Sequence, residues 1–347
     1  MAKLTLKAIK KENAKKVLEV IARNKHITKL EISNETGLSL MTVGKIVSML
    51  GAGGIILHSK NNSQKVGRRA EVLRVRHDWL IPVFEIASRI FKFYITDLEG
   101  NILEKIEYRC IDNPDYIANE FIGFLHKTVE VIKSKYKHKK ALGVGVSVAG
   151  IYDTEKDQIM ATMMPELSSI KLMRNISKIF NHKNVVIDNA NRLCAIGLIE
   201  GELDYSQKTI SCITINDAIE TTTCDKGIYI SGAQGLAGRL GDLPCSRGVT
   251  YASFLRNQQN TIDIFDEVLD LLKIICVSYD PDTIYLCSDK FTLSPGFSSR
   301  LSCSLKCGMS WHDNPPDLHV VNTSTIESIS GIISRLIGNW LDDLIDN

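Results

Sequence analysis

The sequence predicts a mixed α/β chain in two parts: a winged helix-turn-helix front, and a larger body made of two similar α/β halves. Three observations predict it. Residues 1–79 hold 16 Lys+Arg against 6 Asp+Glu, net +10, while the remainder holds 26 against 34, net −8. Three short helical patterns follow one another before residue 53, and a basic hairpin follows them. From residue 81, strand-like runs joined by tight turns precede amphipathic helices, and that order occurs twice.

A chain of 347 residues with 44% apolar composition can bury a sizeable core and by size holds two or three domains. The start, "MAKLTLKAIKKENAKK", is basic with no apolar run behind it, and no stretch reaches transmembrane length. The expectation is a cytoplasmic protein with no membrane partner. Nine cysteines (110, 194, 212, 224, 245, 276, 287, 303, 307) lie in apolar runs with no C-x-x-C pair, so reduced, buried thiols are expected.

In the front, Val17, Leu18, Ile21 and Ala22 recur at helical spacing and make one apolar face. "TKLE" reads as a capping box, in which Thr28 meets orphan backbone N–H groups and Glu31 reaches back. The short helix it starts stops at Gly37, as a sharp corner between helices requires, and Ser39 caps the next. On that third helix Val43, Ile46, Val47 and Leu50 face inward. Ser39, Met41, Thr42 and Lys45 are left outward on its first turns, where a recognition helix meets base edges and phosphates. "GIILHSKNNSQKVGRRAEVLRV" then gives two β-like runs around a loop with Lys60, Lys65, Arg68 and Arg69, a wing for a phosphate backbone or minor groove. A three-helix bundle with a solvated basic face would share the charge, but not the ordered succession of capping box, glycine turn, small polar residues and hairpin. The expected partner is double-stranded DNA.

In the body, "IPVFEI", "IFKFYITDLEG" and "NILEKIEYRC" are strand-like runs, followed by the amphipathic "PDYIANEFIGFLHKTVEVIKSKY" and the buried strand "ALGVGVSVAG". The order recurs with "NVVIDN", a helix to about residue 201, "TISCITI", "IETTTCDKGIYIS", helices across 249–280 and "TIYLCS". Strand "LHVVNT" and helix "IESISGIISRLIGNWLDDLI" close the chain. Two such halves suggest a duplicated fold with a ligand cleft between them.

Seven stretches carry a family resemblance: "TGLSLMTVGKIV", "VGRRAE", "ITDLEGNIL", "LGVGVSVAGIYD", "VVIDNAN", "GAQGLAGRLGDL" and "DPDTIYL". On these, nearly the whole chain resembles the ROK family (repressor, open reading frame, kinase) and its xylose-repressor-type members with a winged helix. The resemblance implies an actin-like, ribonuclease-H-like ATPase fold of two lobes, assembled as a homodimer or homotetramer. Such proteins either phosphorylate sugars with ATP or repress sugar genes until a sugar or sugar phosphate binds. The domains expected are 1–79, a winged helix-turn-helix; 80–188, the first lobe; and 189–347, a second lobe with a dimerisation surface, its C-terminal helix returning to the first.

Sugar phosphorylation needs a carboxylate to take the proton and close backbone approach to the phosphates. The resemblance places the base at the Asp of a Glu-Asn-Asp-Ala-Asn motif, and here "IDNAN" puts Asn189 at that place and Asp188 one residue earlier. An amide accepts no proton, and a one-residue shift along a strand turns the side chain to the opposite face. Where the family has Asp-x-Gly-x-Thr, this chain has "EIASR", with Glu85 and Ala87; "TINDAIETTTC" contains no glycine; and "TIYL" runs into Cys287 and Ser288. Four departures together argue against catalysis, so no catalytic residue and no cofactor are expected. The family's zinc-binding His position is Asp242, followed by the single Cys245, too few ligands for a structural tetrahedral site, so no metal is expected.

The positions that in the family hold sugar hydroxyls are Asp188, Asn189, Arg239 and Asp242. Polar groups remain, but an acceptor Glu has become the donor-only Arg239, which favours carboxylate or phosphate. A sugar could still be held, but the effector expected from Arg239 is anionic, a sugar phosphate or sugar acid with Arg239 as its charge partner; the alternative is internal pairing of Arg239 to Asp242 or Asp188, with effector binding altered or lost. The function expected is a transcriptional regulator, a repressor of carbohydrate-metabolism genes. The alternatives are an ATP-dependent sugar kinase with a DNA-binding domain and a ligand-independent DNA-binding dimer.

Overall fold

A computed structural model describes residues 6–24, 26–60, 71–87, 89–110, 113–160, 164–216, 218–233, 235–308, 315–322 and 325–346. The chain divides into two compact units: Met1–Ala190 with Ile332–Asn347, and Asn191–Gly331.

The first unit opens with helix α1 (Leu6–Arg23), which buries Ala14, Val17, Leu18, Val20 and Ile21. Helix α2 (Lys29–Thr36) starts on the expected capping box: Thr28 Oγ1 accepts from the Glu31 amide at 3.3 Å, and the Glu31 carboxylate accepts from the Thr28 amide at 2.7 Å. It ends at Gly37, whose φ of 72° lies in the left-handed region where a Cβ is disfavoured. Helix α3 (Leu40–Ala52) is capped by Ser39, whose hydroxyl accepts from the Thr42 amide at 3.1 Å, and it buries Val43, Ile46, Val47 and Leu50. An antiparallel ribbon of β1 (Ile56–Lys60) and β2 (Glu71–Val75) completes the winged helix. Glu71 joins it to α2: its carboxylate lies 2.8 Å from Lys29 Nζ and 2.8 Å from His58 Nδ1, and these two partners hold its carboxyl below the ordinary glutamate range.

The chain then forms β3 (Trp79–Ala87), β4 (Ile90–Thr96), β5 (Ile102–Arg109), α4 (Pro114–Lys135), β6 (Lys140–Ala141) and β7 (Val144–Val148). A small ribbon of β8 (Ile151–Asp153) and β9 (Gln158–Met160), helix α5 (Leu172–Phe180) and β10 (Val185–Asn189) follow. The sheet order is β10-β7-β3-β4-β5, with β6 on β3; β3, β4 and β5 are antiparallel, while β3, β7 and β10 run parallel. Phe84, Phe91, Phe93, Phe121 and Phe124 fill one face of this sheet beneath α4. The ribbon and α5 were not visible in the sequence pattern.

The second unit takes in most of α6 (Ala190–Ile199), then β11 (Thr209–Ile215), β12 (Ile219–Asp225), β13 (Ile228–Tyr229), α7 (Tyr251–Arg256), α8 (Phe265–Tyr279), β14 (Thr283–Ser288), α9 (Pro295–Gly308) and β15 (Asp317–Asn322). Its sheet order is β13-β12-β11-β14-β15, again three antiparallel strands with two parallel ones added beside the first. The duplicated α/β architecture predicted from sequence is therefore present, but "NVVIDN", read as the opening of the second half, is β10 and pairs with β7 in the first unit's sheet. Helix α9 is an addition that no periodicity announced.

The last helix, α10 (Thr325–Asp346), has its first turns in the second unit and residues from Ile332 onward in the first. Within the first unit, Gly143 and Gly145 make room for it. A Cβ on Gly145 would fall 2.0 Å from Ile332 Cγ2, and one on Gly143 would fall 2.6 Å from Leu336 Cδ2. The alternating glycines of "LGVGV" are thus a seat for α10. None of the nine cysteines is in a disulfide; seven are buried, but Cys303 and Cys307 on α9 are exposed, which corrects the expectation that every thiol is buried.

Candidate nucleic-acid surface and effector residues

The geometry of α2, Gly37 and α3 leaves the start of α3 open to solvent. Met41 is 73% exposed, and Ser39 and Lys45 are exposed beside it. Thr42 is half-buried, and its hydroxyl lies 2.9 Å from Ser39 Oγ, so it belongs more to the cap than the sequence suggested. Of the wing cations, Lys65, Arg68 and Arg69 lie outside the described residues, as does the side chain of Lys60.

Part of the positive excess of the front is balanced internally. Lys7 Nζ meets Asp346 at 2.7 Å, Lys11 Nζ meets Asp342 at 2.5 Å, Lys29 meets Glu71, and Arg76 Nη2 meets Asp78 at 2.6 Å. Net charge by sequence therefore overstates what these residues offer a phosphate backbone.

In the first unit, Asp188 and Asn189 stand at the carboxyl end of β10, paired with Ser147 and Val148 of β7. They point to opposite faces. Asn189 shares the parity of Val185 and Ile187, which enter the phenylalanine core, and its Nδ2 donates to the Gly150 carbonyl at 2.9 Å. Asp188 faces α10, where its Oδ2 lies 3.3 Å from Arg335 Nη2, a residue that sequence reasoning missed. Glu85, in the same row of the sheet, accepts from Lys92 Nζ at 2.6 Å and Tyr94 Oη at 3.2 Å.

In the second unit, the loop 231–242 is pinned to β12. The Thr221 amide donates to Gly238 O at 2.7 Å, and a Cβ on Gly238, whose φ is 92°, would fall 1.9 Å from Thr221 O. Only glycine fits there. Arg192 Nη2 donates to Gly235 O at 2.6 Å, and Asn191 Nδ2 donates to Glu220 at 3.0 Å. Arg239 Nε donates to Asp242 Oδ2 at 2.8 Å, and that carboxylate raises the guanidinium pKa above its ordinary value. The internal pairing weighed from sequence is thus realised with Asp242.

The segment after Asp242 closes through the backbone of Cys245, whose carbonyl accepts from the Gly248 amide at 3.2 Å. Cys245 N donates to Val249 O at 2.8 Å, and Arg247 Nε reaches the buried Glu267 at 2.9 Å. The turn between β11 and β12 is fastened to the end of β14: Ser288 Oγ donates to Ile215 O at 2.6 Å, and Asn216 Oδ1 accepts from the Asp289 amide at 2.9 Å.

A winged helix-turn-helix joined to a duplicated, actin-like α/β body defines a class of protein in which a DNA-binding module rides on a sugar-kinase fold. Residues 10–56 match winged helix-turn-helix DNA-binding, and residues 85–258 match the ROK family, half of the chain. The chain belongs to the ROK family.

It is 24% identical over 248 residues to the xylose repressor of Bacillus subtilis (strain 168), covering 68% of this chain and 61% of that protein. It is 23% identical over 192 residues to the xylose repressor of Caldicellulosiruptor bescii, covering 54% and 47%. The chain thus spans less than two thirds of the length of these relatives. Among solved structures, it superposes on a ROK family transcriptional regulator described as a homologue of the E. coli MLC protein, with TM-score 0.65 and 16% identity, covering 98% of this chain and all of that one. A ROK family protein from Streptococcus pneumoniae in complex with sucrose gives TM-score 0.57 and 14% identity over 77% of this chain and all of that one. These structural likenesses show the fold.

Proposed function

We propose that this chain is a sequence-specific DNA-binding transcriptional regulator, a repressor of carbohydrate-metabolism genes, whose body answers to a carbohydrate effector and carries out no phosphoryl transfer. The observation that carries the proposal is the start of α3: a Ser39-capped helix, set by the capping box and the Gly37 turn, that presents Met41 and Lys45 to solvent. The xylose repressors among its relatives support the carbohydrate link.

In this reading residues 1–79 bind DNA through Ser39, Met41, Thr42 and Lys45 with the wing, residues 80–188 and 189–347 are the two lobes, and the protein works in the cytoplasm as a homodimer or homotetramer. Asp188, Asn189, Arg239 and Asp242 are the proposed effector contacts. The absence of a kinase base rests on chemistry: Asn189 is an amide, already donating to a backbone carbonyl.

Selection from a random-sequence duplex library with the full chain tests the DNA half. An enriched motif bound more tightly than scrambled duplex, with an affinity that falls steeply as salt rises, is expected. Equal affinity for every duplex overturns it. A coupled ATP assay over a sugar panel tests the rest, since turnover lost in Asp188→Asn would establish a kinase instead.

A further inference from the structure

The pair formed by Arg335 and Asp188 stands at one end of a continuous run of contacts along α10. On the next residue, the Leu336 carbonyl accepts from Asn184 Nδ2 at 3.0 Å, and Asn184 Oδ1 accepts in turn from Asn339 Nδ2 at 3.1 Å. Trp340 then covers Gly53 at the C-terminal end of α3: a Cβ on Gly53 would lie 2.6 Å from the ring and 3.1 Å from Leu344. Trp79 Nε1 fastens the neighbouring Gly54 carbonyl at 2.8 Å. Asp342 and Asp346, two and six residues further on, accept from Lys11 and Lys7 of α1.

One unbroken helix therefore touches a proposed effector carboxylate, the end of the recognition helix and α1 within about three turns. The contacts along α10 differ in how easily they let go. Arg335 is 44% exposed on its side chain, so a polar ligand can take its place on Asp188, whereas Leu336 and Leu341 are fully buried. A ligand bound at Asp188 competes with a half-exposed guanidinium, while the Asn189 amide also donates to Asp188 Oδ1 at 2.8 Å, and so changes what holds the helix.

We propose that Arg335 is a positioning residue that couples Asp188 to the DNA-binding helices through α10. With Arg335 on Asp188, Trp340 stays seated on Gly53 and α3 is held for DNA; a ligand that occupies Asp188 releases Arg335 and loosens that seat. The ligand half rests on the reading of Asp188 as an effector contact, while the mechanical half needs no ligand at all.

Hydrogen exchange on the full chain, with no sugar present, reads the mechanical half. Arg335→Gln and Asp188→Asn are each expected to speed exchange of the Leu50–Ile55 amides at least fivefold and to weaken binding of the library-selected duplex by a similar factor. The double variant should do no more than either single one, and Arg335→Lys should restore most of the protection. Asn339→Ala, which breaks the next link, is expected to act in the same direction and serves if Arg335→Gln is poorly folded. The proposal is overturned if Arg335→Gln and Asn339→Ala leave both readouts within twofold of the parent, or if the Arg335→Gln and Asp188→Asn effects simply multiply. D-xylose, glucose 6-phosphate and gluconate are then added to the parent chain. Faster Leu50–Ile55 exchange with any of them supports the ligand half, and binding that leaves that exchange unchanged overturns it. Failure of all three to bind in the Asp188 region overturns the effector reading while leaving the coupling result intact.

Discussion

Trp340 lies so close over Gly53 that no side chain fits between them: a Cβ on Gly53 would be 2.6 Å from Cζ2 and 2.8 Å from Cη2 of the indole. The end of the recognition helix is thus shaped by a residue 287 positions away in sequence. Gly53→Ala should destabilise the chain by about 1–3 kcal/mol, the usual cost of forcing an extra methyl into packed space. Pairing it with Trp340→Phe, which vacates the clash, should recover part of that loss in thermal unfolding. A Gly53→Ala melt equal to the parent's would show that the ring has room to move.

Lys45 sits on the exposed side of α3. If it meets a phosphate, Lys45→Ala should weaken binding of every duplex alike and reduce the slope of log affinity against log salt by about 1. Met41→Ala should instead alter the preferred sequence. Competition binding at three salt concentrations separates the two effects.

The capping box of α2 makes two predictions. Thr28→Ala should cost about 1 kcal/mol, seen as faster amide exchange across Lys29–Thr36. Hydrogen bonds from the Thr28 amide, first, and the Thr28 side chain hold the Glu31 carboxyl below its ordinary value of 4.5. A depressed carboxyl contributes stability that is present above that ordinary value and is lost as pH falls through the lower, folded one. Protection of α2 should therefore drop below about pH 4.5 in the parent, and Glu31→Gln should flatten that drop.

Thiol accessibility divides the cysteines sharply. Cys303 and Cys307 are exposed on α9, whereas the other seven are buried, and burial raises the Cys110 and Cys276 thiols to about 11. A disulfide reagent at pH 8 should titrate two of the nine thiols in the native chain and all nine in guanidinium. Three or more fast-reacting thiols would contradict this packing.

Arg239 is held by Asp242 in an exposed pair worth at most about 1 kcal/mol. Asp242→Asn should change stability little while freeing the guanidinium. If Arg239 is a contact for an anionic effector, that variant should bind sugar phosphates or sugar acids more tightly and neutral sugars no better. A thermal-shift comparison of glucose 6-phosphate, gluconate and glucose decides it.

Much of this protein was legible in its sequence because the signals were local. Thr28, Glu31, Gly37 and Ser39 act on backbone groups within three or four residues, so their spacing alone set the corner between α2 and α3. Strand periodicity and hairpin turns repeat in both halves and pointed to the duplication, whereas the sheet orders, and the place of β10 beside β7 in the first sheet, depend on pairing between distant strands. Other features depend on partners hundreds of residues away. The glycines of "LGVGV" have no local meaning, and only the seating of Ile332 and Leu336 explains them. Lys7 and Lys11 of α1 count toward the front's positive excess until Asp346 and Asp342 arrive beside them. Asp188 and Asn189 are neighbours in the chain, yet the pleat of β10 sends them to opposite faces, one to Arg335 and the other to Gly150. The sequence by itself determined the winged helix and the hairpin-linked strands of both halves, though not β8, β9, α5 or α9, because helix caps, turns and apolar periodicity act over a few residues. Only the tertiary structure decided which charges are balanced and which helix touches the recognition helix, because ion pairs and close packing depend on where distant segments meet.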